Sequence, residues 1–301
     1  EENLRIESVN SVSLNHSDND LDTIAAKIVS PGKTIVITDV DNVTLGTVDT
    51  RTGIETDNGA VTVITQGAIT VNGDINAGTA SISLTAGNAK DLTNNAIITN
   101  NAIISGTGIV LQADQMILAT TSNIEGGSGR VTLEPVQEGR RIDLGAINNP
   151  VDALALSDRE LDTIKTTGTL QIGGKAAGEI AISNPVDTAV VTTLTLIGKG
   201  PVAQTDPIVE QNLRIESVKS VNLPDLNNDV AALTVNITGP GETFIFTDAN
   251  TIGVGPVDGV TGVQTNGGAI AINSRITFTE DIERGFQLGG SPIWRGVLNQ
   301  P

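Results

Sequence analysis

The sequence predicts an all-β chain folded as a right-handed parallel β-helix, a solenoid of short strands with an irregular C-terminal cap or docking segment. Three observations lead to this prediction. Apolar residues alternate in many short runs, aromatic residues make up 2% of the chain, and a long stretch of sequence recurs after 209 residues. Together they favour stacked coils over an ordinary globular core.

The alternating runs have the length and the borders of short β-strands. Runs such as 60–64, 68–71 and 80–84 are apolar at every second position and end at Gly, Asn, Asp or Pro. The 3.6-residue period of a helix is not sustained anywhere, although Ser157 and Glu160 have capping-box spacing and indicate one short helix or turn. A sandwich of hairpins is the alternative fold, but most turns lack the tight-hairpin signal.

The composition indicates a core of thin, repeated layers. The chain has no Tyr, one Trp and four Phe, so Ile, Val, Leu and Ala must fill the interior. The 33 glycines, together with frequent Asn, Thr, Asp and Ser, supply turns. An acidic chain with few aromatic residues can be disordered, but the regular β-branched runs indicate folded coils instead.

The internal repeat sets the expected domain organisation. Residues 3–9 and 212–218 both read NLRIESV, and the 209-residue spacing then continues without a gap to the Gly-Ala pairs at 59–60 and 268–269. A match of this length does not arise by chance. We therefore expect four segments: first-copy coils over 1–100, further coils over 101–209, second-copy coils over 210–284, and an irregular aromatic-containing tail over 285–301.

Charge and residue inventory exclude several classes of function. The formal net charge is −18, from 17 basic and 35 acidic residues, and such a surface repels nucleic acid and anionic lipid. Since the chain has no Cys, disulfides and Cys-based metal sites are excluded. No apolar run is long enough to predict a transmembrane helix, so we expect no membrane insertion.

The middle of the chain resembles a known family. Residues 130–145 read RVTLEPVQEGRRIDLG, and residues 154–182 read LALSDRELDTIKTTGTLQIGGKAAGEIAI. This succession resembles the repeat region of the filamentous-haemagglutinin-like large exoproteins of Gram-negative bacteria. The resemblance covers roughly residues 100 to 200. It is carried by the following residues: Thr132, Leu133, Pro135, Gly139, Arg140, Ile142, Asp143, Leu144, Gly145, Leu154, Leu156, Ser157, Asp158, Glu160, Leu161, Asp162, Ile164, Thr169, Leu170, Ile172 and Gly173.

The resemblance implies a right-handed parallel β-helix exported through an outer-membrane secretion partner to the extracellular side or outer cell surface. Members of the family act as adhesins, as stalks of contact-dependent toxins or as biofilm matrix proteins. The secretion domain with its Asn-Pro-Asn motifs is not visible, because the Asn-Pro pairs at 149–150 and 184–185 lack the following Asn. The chain also begins without Met or a signal-like stretch. We therefore expect a piece of a longer protein, or a shorter relative secreted in another way.

Two alternating acidic runs are the only metal candidates that the sequence offers. They consist of Asp18, Asp20 and Asp22, and of Asp39 and Asp41. The first run lacks the Gly and the distal Glu of a calcium loop, and its acidic pattern degrades in the second copy. We expect solvated turn carboxylates, incidental calcium binding at most, and no other cofactor. His16, the only histidine, is expected in a solvated loop.

An enzyme is the remote alternative, because parallel β-helices also include polysaccharide lyases and hydrolases. Such sites need clustered carboxylates with Arg or Lys. The best local pairings are Asp143 with Arg140 and Arg141, and Asp158 with Arg159 and Glu160. We expect these to be exposed salt bridges, and no catalysis.

All aromatic residues fall in the last 60 positions, at Phe244, Phe246, Phe278, Phe286 and Trp294. Because the end of a solenoid exposes strand edges and core, these residues are predicted to form a hydrophobic cap or a docking surface. The expected function is that of a secreted or surface-exposed adhesin, and the alternative is a filament subunit that stacks head to tail. The expected partners are a host or neighbouring cell surface, matrix polysaccharide, or further copies of the chain.

Overall fold

The structure is a computed structural model that describes residues 3–87, 97–188 and 190–278. It confirms the predicted fold class: 58% of the chain is strand and 2% is helix, and parallel strands stack into a β-solenoid of about 12 turns. The predicted irregular tail over 285–301 lies outside the described residues.

The strands are short in the first two thirds of the chain and longer near its C-terminal end, and one helix interrupts them. Their bounds are as follows: β1 Asn3–Ser8, β2 Val12–Leu14, β3 Thr23–Ile28, β4 Ile35–Asp39, β5 Val43–Leu45, β6 Thr47–Val48, β7 Arg51–Thr52, β8 Ile54–Thr56, β9 Val61–Thr65, β10 Ile69–Val71, β11 Ile75–Asn76, β12 Ile82–Ala86, β13 Ile97–Asn100, β14 Ile103–Ser105, β15 Ile109–Gln112, β16 Gln115–Leu118, β17 Asn123–Gly127, β18 Val131–Glu134, β19 Arg140–Leu144, β20 Ala153–Leu156, α1 Asp158–Leu161, β21 Ile164–Thr166, β22 Leu170–Gly173, β23 Ala177–Ile182, β24 Val186–Asp187, β25 Thr193–Gly198, β26 Val202–Gln204, β27 Ile208–Ser217, β28 Val221–Leu223, β29 Asp229–Pro240, β30 Phe244–Val254, β31 Pro256–Val257, β32 Val260–Thr261, β33 Val263–Asn266 and β34 Ile270–Phe278.

Three short strands make up one coil, and each strand stacks in parallel on the corresponding strand of the next coil. β8, β9 and β10 form such a coil. The first face contains β1, β3, β8, β11, β14, β17 and β21. The second face contains β2, β4, β9, β12, β15, β18, β22, β25, β27, β29 and β33. The third face begins with β5, β10, β13 and β16.

The core consists of aliphatic side chains stacked in register along the axis. On the second face, Ile35 aligns with Val61, and Val61 aligns with Ile82 of the following coil. All three are fully buried, because alternate residues of a strand point to the same side and the inner side faces the core. The two-residue alternation in the sequence thus becomes a continuous buried stack, with few aromatic side chains needed.

The two copies of the repeat lie on different faces. β1, which begins the first copy, is on the first face, whereas the equivalent part of β27 is on the second face. The second face carries β2, β4, β9, β12, β15, β18, β22, β25 and β27, so β27 lies eight coils beyond β2. From the first copy to the second, the chain therefore completes eight coils and advances by one further face. Equivalent strands of the two copies lie on neighbouring faces of the solenoid as a result.

The one helix occurs where the sequence predicts a short helix or turn. The Ser157 hydroxyl accepts a hydrogen bond from the backbone N–H of Glu160, and the Glu160 carboxylate accepts one from the backbone N–H of Ser157. This reciprocal capping box satisfies donors that the first helical turn leaves without partners. The helix extends over four residues and ends before β21 resumes the coil.

Candidate functional site

A hydrogen-bonded corner recurs in both copies of the repeat. In the first copy, the Asp39 carboxylate accepts hydrogen bonds from the backbone N–H groups of Leu21 at 2.9 Å and Asp41 at 3.2 Å. The Asn19 side-chain amide donates to two backbone carbonyl oxygens, at 3.0 and 2.9 Å. Asp39 is fully buried, and burial raises the pKa of its carboxyl group although the two N–H donors oppose that shift.

The second copy builds the same corner from equivalent residues. The Asp248 carboxylate accepts from the N–H groups of Val230 at 2.9 Å and Asn250 at 3.0 Å. The Asn228 amide donates to two carbonyl oxygens, at 3.3 and 2.9 Å. Each residue is 209 positions after its counterpart. Because buried backbone groups must be paired, these side chains hold the turn in shape.

The acidic residues predicted as weak calcium candidates therefore divide into two groups. Asp18, Asp20, Asp22 and Asp41 are exposed, as expected for turn carboxylates. The prediction that Asp39 is solvated is wrong, because the residue is fully buried. Its carboxylate accepts hydrogen bonds from backbone N–H groups inside the corner. Within the described residues, no group of three or more His, Asp or Glu side chains is arranged to hold a metal ion. Incidental calcium binding stays a prediction.

The aromatic residues predicted to form a hydrophobic cap or a docking surface lie in different environments. Phe244 and Phe246 are fully buried in the core and stack on each other, with ring centroids 6.2 Å apart. β30, which carries both, has β28 on one side and β34 on the other. They are therefore core residues and offer no exposed docking surface. Phe278 is the last residue of β34, and Phe286 and Trp294 lie outside the described residues.

The charged pairings considered for an enzyme are structural. Arg141 forms an ion pair with Asp143 at 3.0 Å, and the Ser183 hydroxyl donates to Asp143 at 2.5 Å. Asp143 and Arg140 are buried, contrary to the expectation of exposed salt bridges. The Arg140 guanidinium donates to the backbone carbonyl oxygen of Val151 at 2.6 Å, and burial lowers its pKa. Arg140 closes the turn between β19 and β20, and the Ser183–Asp143 bond joins β19 to the residue after β23.

The other enzyme candidates, Asp158 and Glu160, also hold local structure. Asp158 accepts a hydrogen bond from the backbone N–H of Asp187 at 2.9 Å. The Glu160 carboxylate is used in the capping box and accepts from the backbone N–H of Leu118 at 3.1 Å. Both carboxylates connect neighbouring coils.

A groove of about 830 Å³ follows the outer surface of the second face. Its floor contains a ladder of aligned side chains: the Thr85 hydroxyl donates to the Gln112 carbonyl oxygen at 2.9 Å, and the Gln112 amide donates to Glu134 at 2.5 Å. Burial raises the pKa of the Glu134 carboxyl group, and the bond from Gln112 opposes this. Gly174 leaves room for the Glu134 carboxylate, because a Cβ there would lie 2.0 Å from one of its oxygens and the carboxylate would have to shift. Lys175 adds a positive charge to the lining.

The second-copy hairpin, formed by β31 and β32, folds back onto the second face. Its tip residue Asp258 forms ion pairs with Arg130 at 2.6 Å and with Arg214 at 3.1 Å. It also accepts hydrogen bonds from the hydroxyls of Thr195 at 2.9 Å and Thr169 at 3.2 Å. Burial raises the pKa of Asp258, but the bonds from Arg130, Thr195 and Arg214 outweigh it, so the net shift is downward. The hairpin thereby crosses several coils.

The first-copy hairpin, formed by β6 and β7, has fewer contacts at its tip. Asp49, which corresponds to Asp258, has the same left-handed backbone conformation, with φ of 53° against 50°. Its side chain is exposed. Neighbouring charges pair instead with one another: Arg51 approaches Glu7 at 3.7 Å, and Arg5 contacts Glu7 at 2.6 Å.

Glu210 is the most perturbed carboxyl group of the described chain. It is a buried residue of β27, next to Val230 of β29. It accepts hydrogen bonds from the Thr188 hydroxyl at 2.6 Å and the Thr188 N–H at 3.2 Å. Burial raises its pKa to about 8, and the nearby Asp187 and Asp158 add to that rise. Sequence reasoning missed this residue because its burial depends on the stacking of three separate coils.

The comparisons with known proteins add no family to the fold. The fold and the repeated corner define a parallel β-solenoid. No family model matches the chain, and no curated protein or solved structure matches it significantly. No helix among the described residues is long and apolar enough to cross a membrane.

Proposed function

We propose that this protein is a structural and adhesive β-solenoid on the outer surface of a Gram-negative bacterium, where it attaches cells to a surface or matrix without catalysis. The observation that carries the proposal is the corner built twice, around Asp39 and around Asp248, within one continuous aliphatic core. A rod gains length by repeating a structural unit, whereas a catalytic site is a single arrangement of unlike groups.

The charged residues support a structural role. Asp143, Arg140, Asp158 and Glu160 each bind backbone or hydroxyl groups that close a turn or join coils. Secretion through an outer-membrane partner, as the family resemblance implies, is part of this proposal. Its ground is the resemblance of residues 130–173 to the repeat coils of filamentous-haemagglutinin-like exoproteins, and no family model matches the chain.

The groove on the second face is the proposed adhesive surface. Side chains along its floor repeat at the strand spacing of about 4.8 Å, which suits an extended polymer that follows the axis. Thr85, Gln112 and Glu134 offer neutral and acidic hydrogen-bonding groups, and Lys175 offers a cation. We propose a matrix or cell-surface polysaccharide as the ligand.

Two measurements test the proposal. Small-angle X-ray scattering should show a rod on the order of 60 Å long, from about 12 coils at about 4.8 Å each. Labelled protein should bind saturably to bacterial exopolysaccharide and leave its chain length unchanged. The Lys175→Ala variant should bind less than wild type, whereas Lys33→Ala, an exposed lysine outside the groove, should bind equally. Shortening of the polymer, or equal binding by both variants, would contradict the proposal.

A filament subunit is the second candidate function. It is favoured by the way β25 adds to β27 in parallel and in register, because copies of the chain that meet end to end would use the same kind of contact.

A further inference from the structure

The arginines beside the groove on the second face already have carboxylate partners within the protein. Arg214 contacts Glu216, which lines the groove, at 2.7 Å, and it contacts Asp258 at 3.1 Å. Arg130 contacts Asp258 at 2.6 Å and donates to the side-chain oxygen of Gln171, also in the lining, at 2.9 Å. Because both guanidinium groups are paired, neither offers an uncompensated positive charge to a ligand.

Two side chains of the groove, Glu134 and Lys175, keep an accessible charge. Glu134 is half-buried and accepts a hydrogen bond from Gln112 at 2.5 Å, but it has no ion pair in the described chain. Lys175 is exposed and has neither an ion pair nor a hydrogen bond among the described residues. The remaining acid of the lining, Asp39, is fully buried and bound to backbone N–H groups. A ligand therefore meets one acceptor charge and one donor charge.

The rest of the lining combines aliphatic surface with neutral polar groups. Ile64 is 40% exposed, and Val136 and Ile197 are half-buried. Thr85 and Gln112 supply a hydroxyl and an amide. Aliphatic surface suits the C–H faces of sugar rings, and a few polar groups fix the orientation of a ligand.

The two unpaired charges discriminate between classes of polysaccharide. A hydroxyl group both donates and accepts hydrogen bonds, so an uncharged sugar can donate to Glu134 and accept from Lys175. A uronate satisfies Lys175 but brings a second carboxylate towards Glu134, and the protein as a whole has a formal charge of −18. An amino sugar satisfies Glu134 but brings an ammonium group towards Lys175. Like charges brought together cost affinity.

We infer that the groove binds an uncharged polysaccharide, such as a glucan or a mannan, and that Glu134 and Lys175 determine this specificity. The inference rests on the proposed function, because it names the ligand class of the same groove. Hydrogen bonds that involve an ionised partner are stronger than neutral ones, so the two residues add affinity for the uncharged polymer as well as selectivity against charged ones.

The first test compares polymers of different charge on the full chain. Immobilised dextran, laminarin and mannan are the uncharged probes, alginate is the polyuronate, and chitosan is the amine polymer. Wild type should bind at least one uncharged polymer about tenfold more tightly than alginate or chitosan. That affinity should change little between about 0.1 and 0.5 M salt, because the ligand carries no charge to screen.

The second test removes one charge from the groove. Glu134→Gln keeps the shape of the side chain but turns a charge-assisted hydrogen bond into a neutral one. Affinity for the uncharged polymer should fall by about threefold to tenfold, and affinity for alginate should rise by about threefold or more. The matched control Glu138→Gln removes the same charge from an exposed residue outside the groove, and it should bind every polymer as wild type does.

The results that would overturn the inference differ from those that would overturn the proposed function. Tighter binding of alginate or chitosan than of every uncharged polymer would refute the inference alone and leave adhesion to polysaccharide standing. Equal effects of Glu134→Gln and Glu138→Gln, with both proteins folded by circular dichroism, would also refute it. Binding to none of the polymers would refute the polysaccharide ligand of the proposed function itself.

Discussion

The first and second copies of the repeat are related in sequence but differ in what surrounds them. The corner around Asp39 and the corner around Asp248 have the same hydrogen bonds, because every partner lies within the repeat. By contrast, Leu4 is half-buried and Leu213 is fully buried, because the neighbour of Leu213 comes from β25, outside the repeat. Local sequence thus specifies the turn, and position in the stack specifies burial.

The two hairpins show the same contrast in electrostatics. Asp258 reaches Arg130 and Thr169 on coils that precede the second copy, whereas the exposed Asp49 has no such coils beneath it in the described chain. Arg214 and Arg5 are equivalent in sequence, but only Arg214 pairs with its hairpin tip. Ion pairs between coils therefore depend on which coils are stacked next to the hairpin, and the sequence of the repeat alone does not specify them.

The largest expected effect tests whether another turn of the repeat, at Gly59 in the first copy and at Gly268 in the second, is equally demanding in both copies. Gly59→Ala and Gly268→Ala each place a Cβ within 1.8 and 1.7 Å of a backbone carbonyl oxygen, that of Lys33 and that of Glu242. Backbone atoms cannot move aside cheaply, so each substitution should lower the free energy of unfolding by about 3 kcal/mol or more. Urea titration followed by circular dichroism measures this. A mild effect at one position alone would show that the copies differ locally.

The next prediction compares the stability contributions of Leu213 and Leu4, which differ in burial. Leu213→Ala removes a fully buried side chain between two coils and should cost about 3 kcal/mol. Leu4→Ala removes a half-buried side chain on β1 and should cost about 1 kcal/mol. Because solenoids unfold in parts, local opening free energies from hydrogen exchange at β27 and β1 are the measurement. Equal costs would mean that Leu4 is packed in solution as tightly as Leu213.

The third prediction concerns pH, and it applies only to the second copy, since the residue equivalent to Glu210 is Glu1, outside the described residues. The Glu210 pKa is about 8 in the folded state, well above the ordinary value of a glutamate. The folded state therefore binds the proton more tightly, and the free energy of unfolding should fall between about pH 4.5 and pH 8, by several kcal/mol. Glu210→Gln should remove this slope and be the more stable form at pH 9. If the urea midpoints of wild type and Glu210→Gln changed with pH in the same way across that range, Glu210 would not be the group responsible.

The smallest expected effect separates the two hairpins. Asp258→Asn should cost about 1 kcal/mol, because its ion pairs with Arg130 and Arg214 are partly exposed and screened by solvent. Asp49→Asn should change stability by less than about 0.5 kcal/mol, since the Asp49 side chain is exposed. Asparagine keeps the left-handed turn accessible, so the difference reports the charge. Chemical denaturation at low and high salt checks it, and only the Asp258 cost should shrink with salt.

Sequence reasoning reached the fold class, the repeat and the short helix at Ser157, because each depends on contacts between near neighbours. It misplaced Asp39 and Asp143, which were expected in solvent, because their burial follows from turns that close over them. It grouped Phe244 with the exposed end, although a further strand covers it. The groove and its Thr85–Gln112–Glu134 ladder were not predicted, since their members are 27 and 22 residues apart and align only through strand register.

By itself, the sequence determined the short strands, the buried alternation and the identical corners, because these depend on residues within one or two turns of the chain. Only the tertiary structure decided that the repeat spans eight coils and one face, so that NLRIESV at 3–9 and at 212–218 lie on different faces of the rod. The physical reason is that the position of the second copy around the rod depends on the lengths of all the loops between the two copies, including the one that holds the helix at Asp158–Leu161. These lengths together decide which strands meet, and hence why Leu213 of β27 lies between β25 and β29.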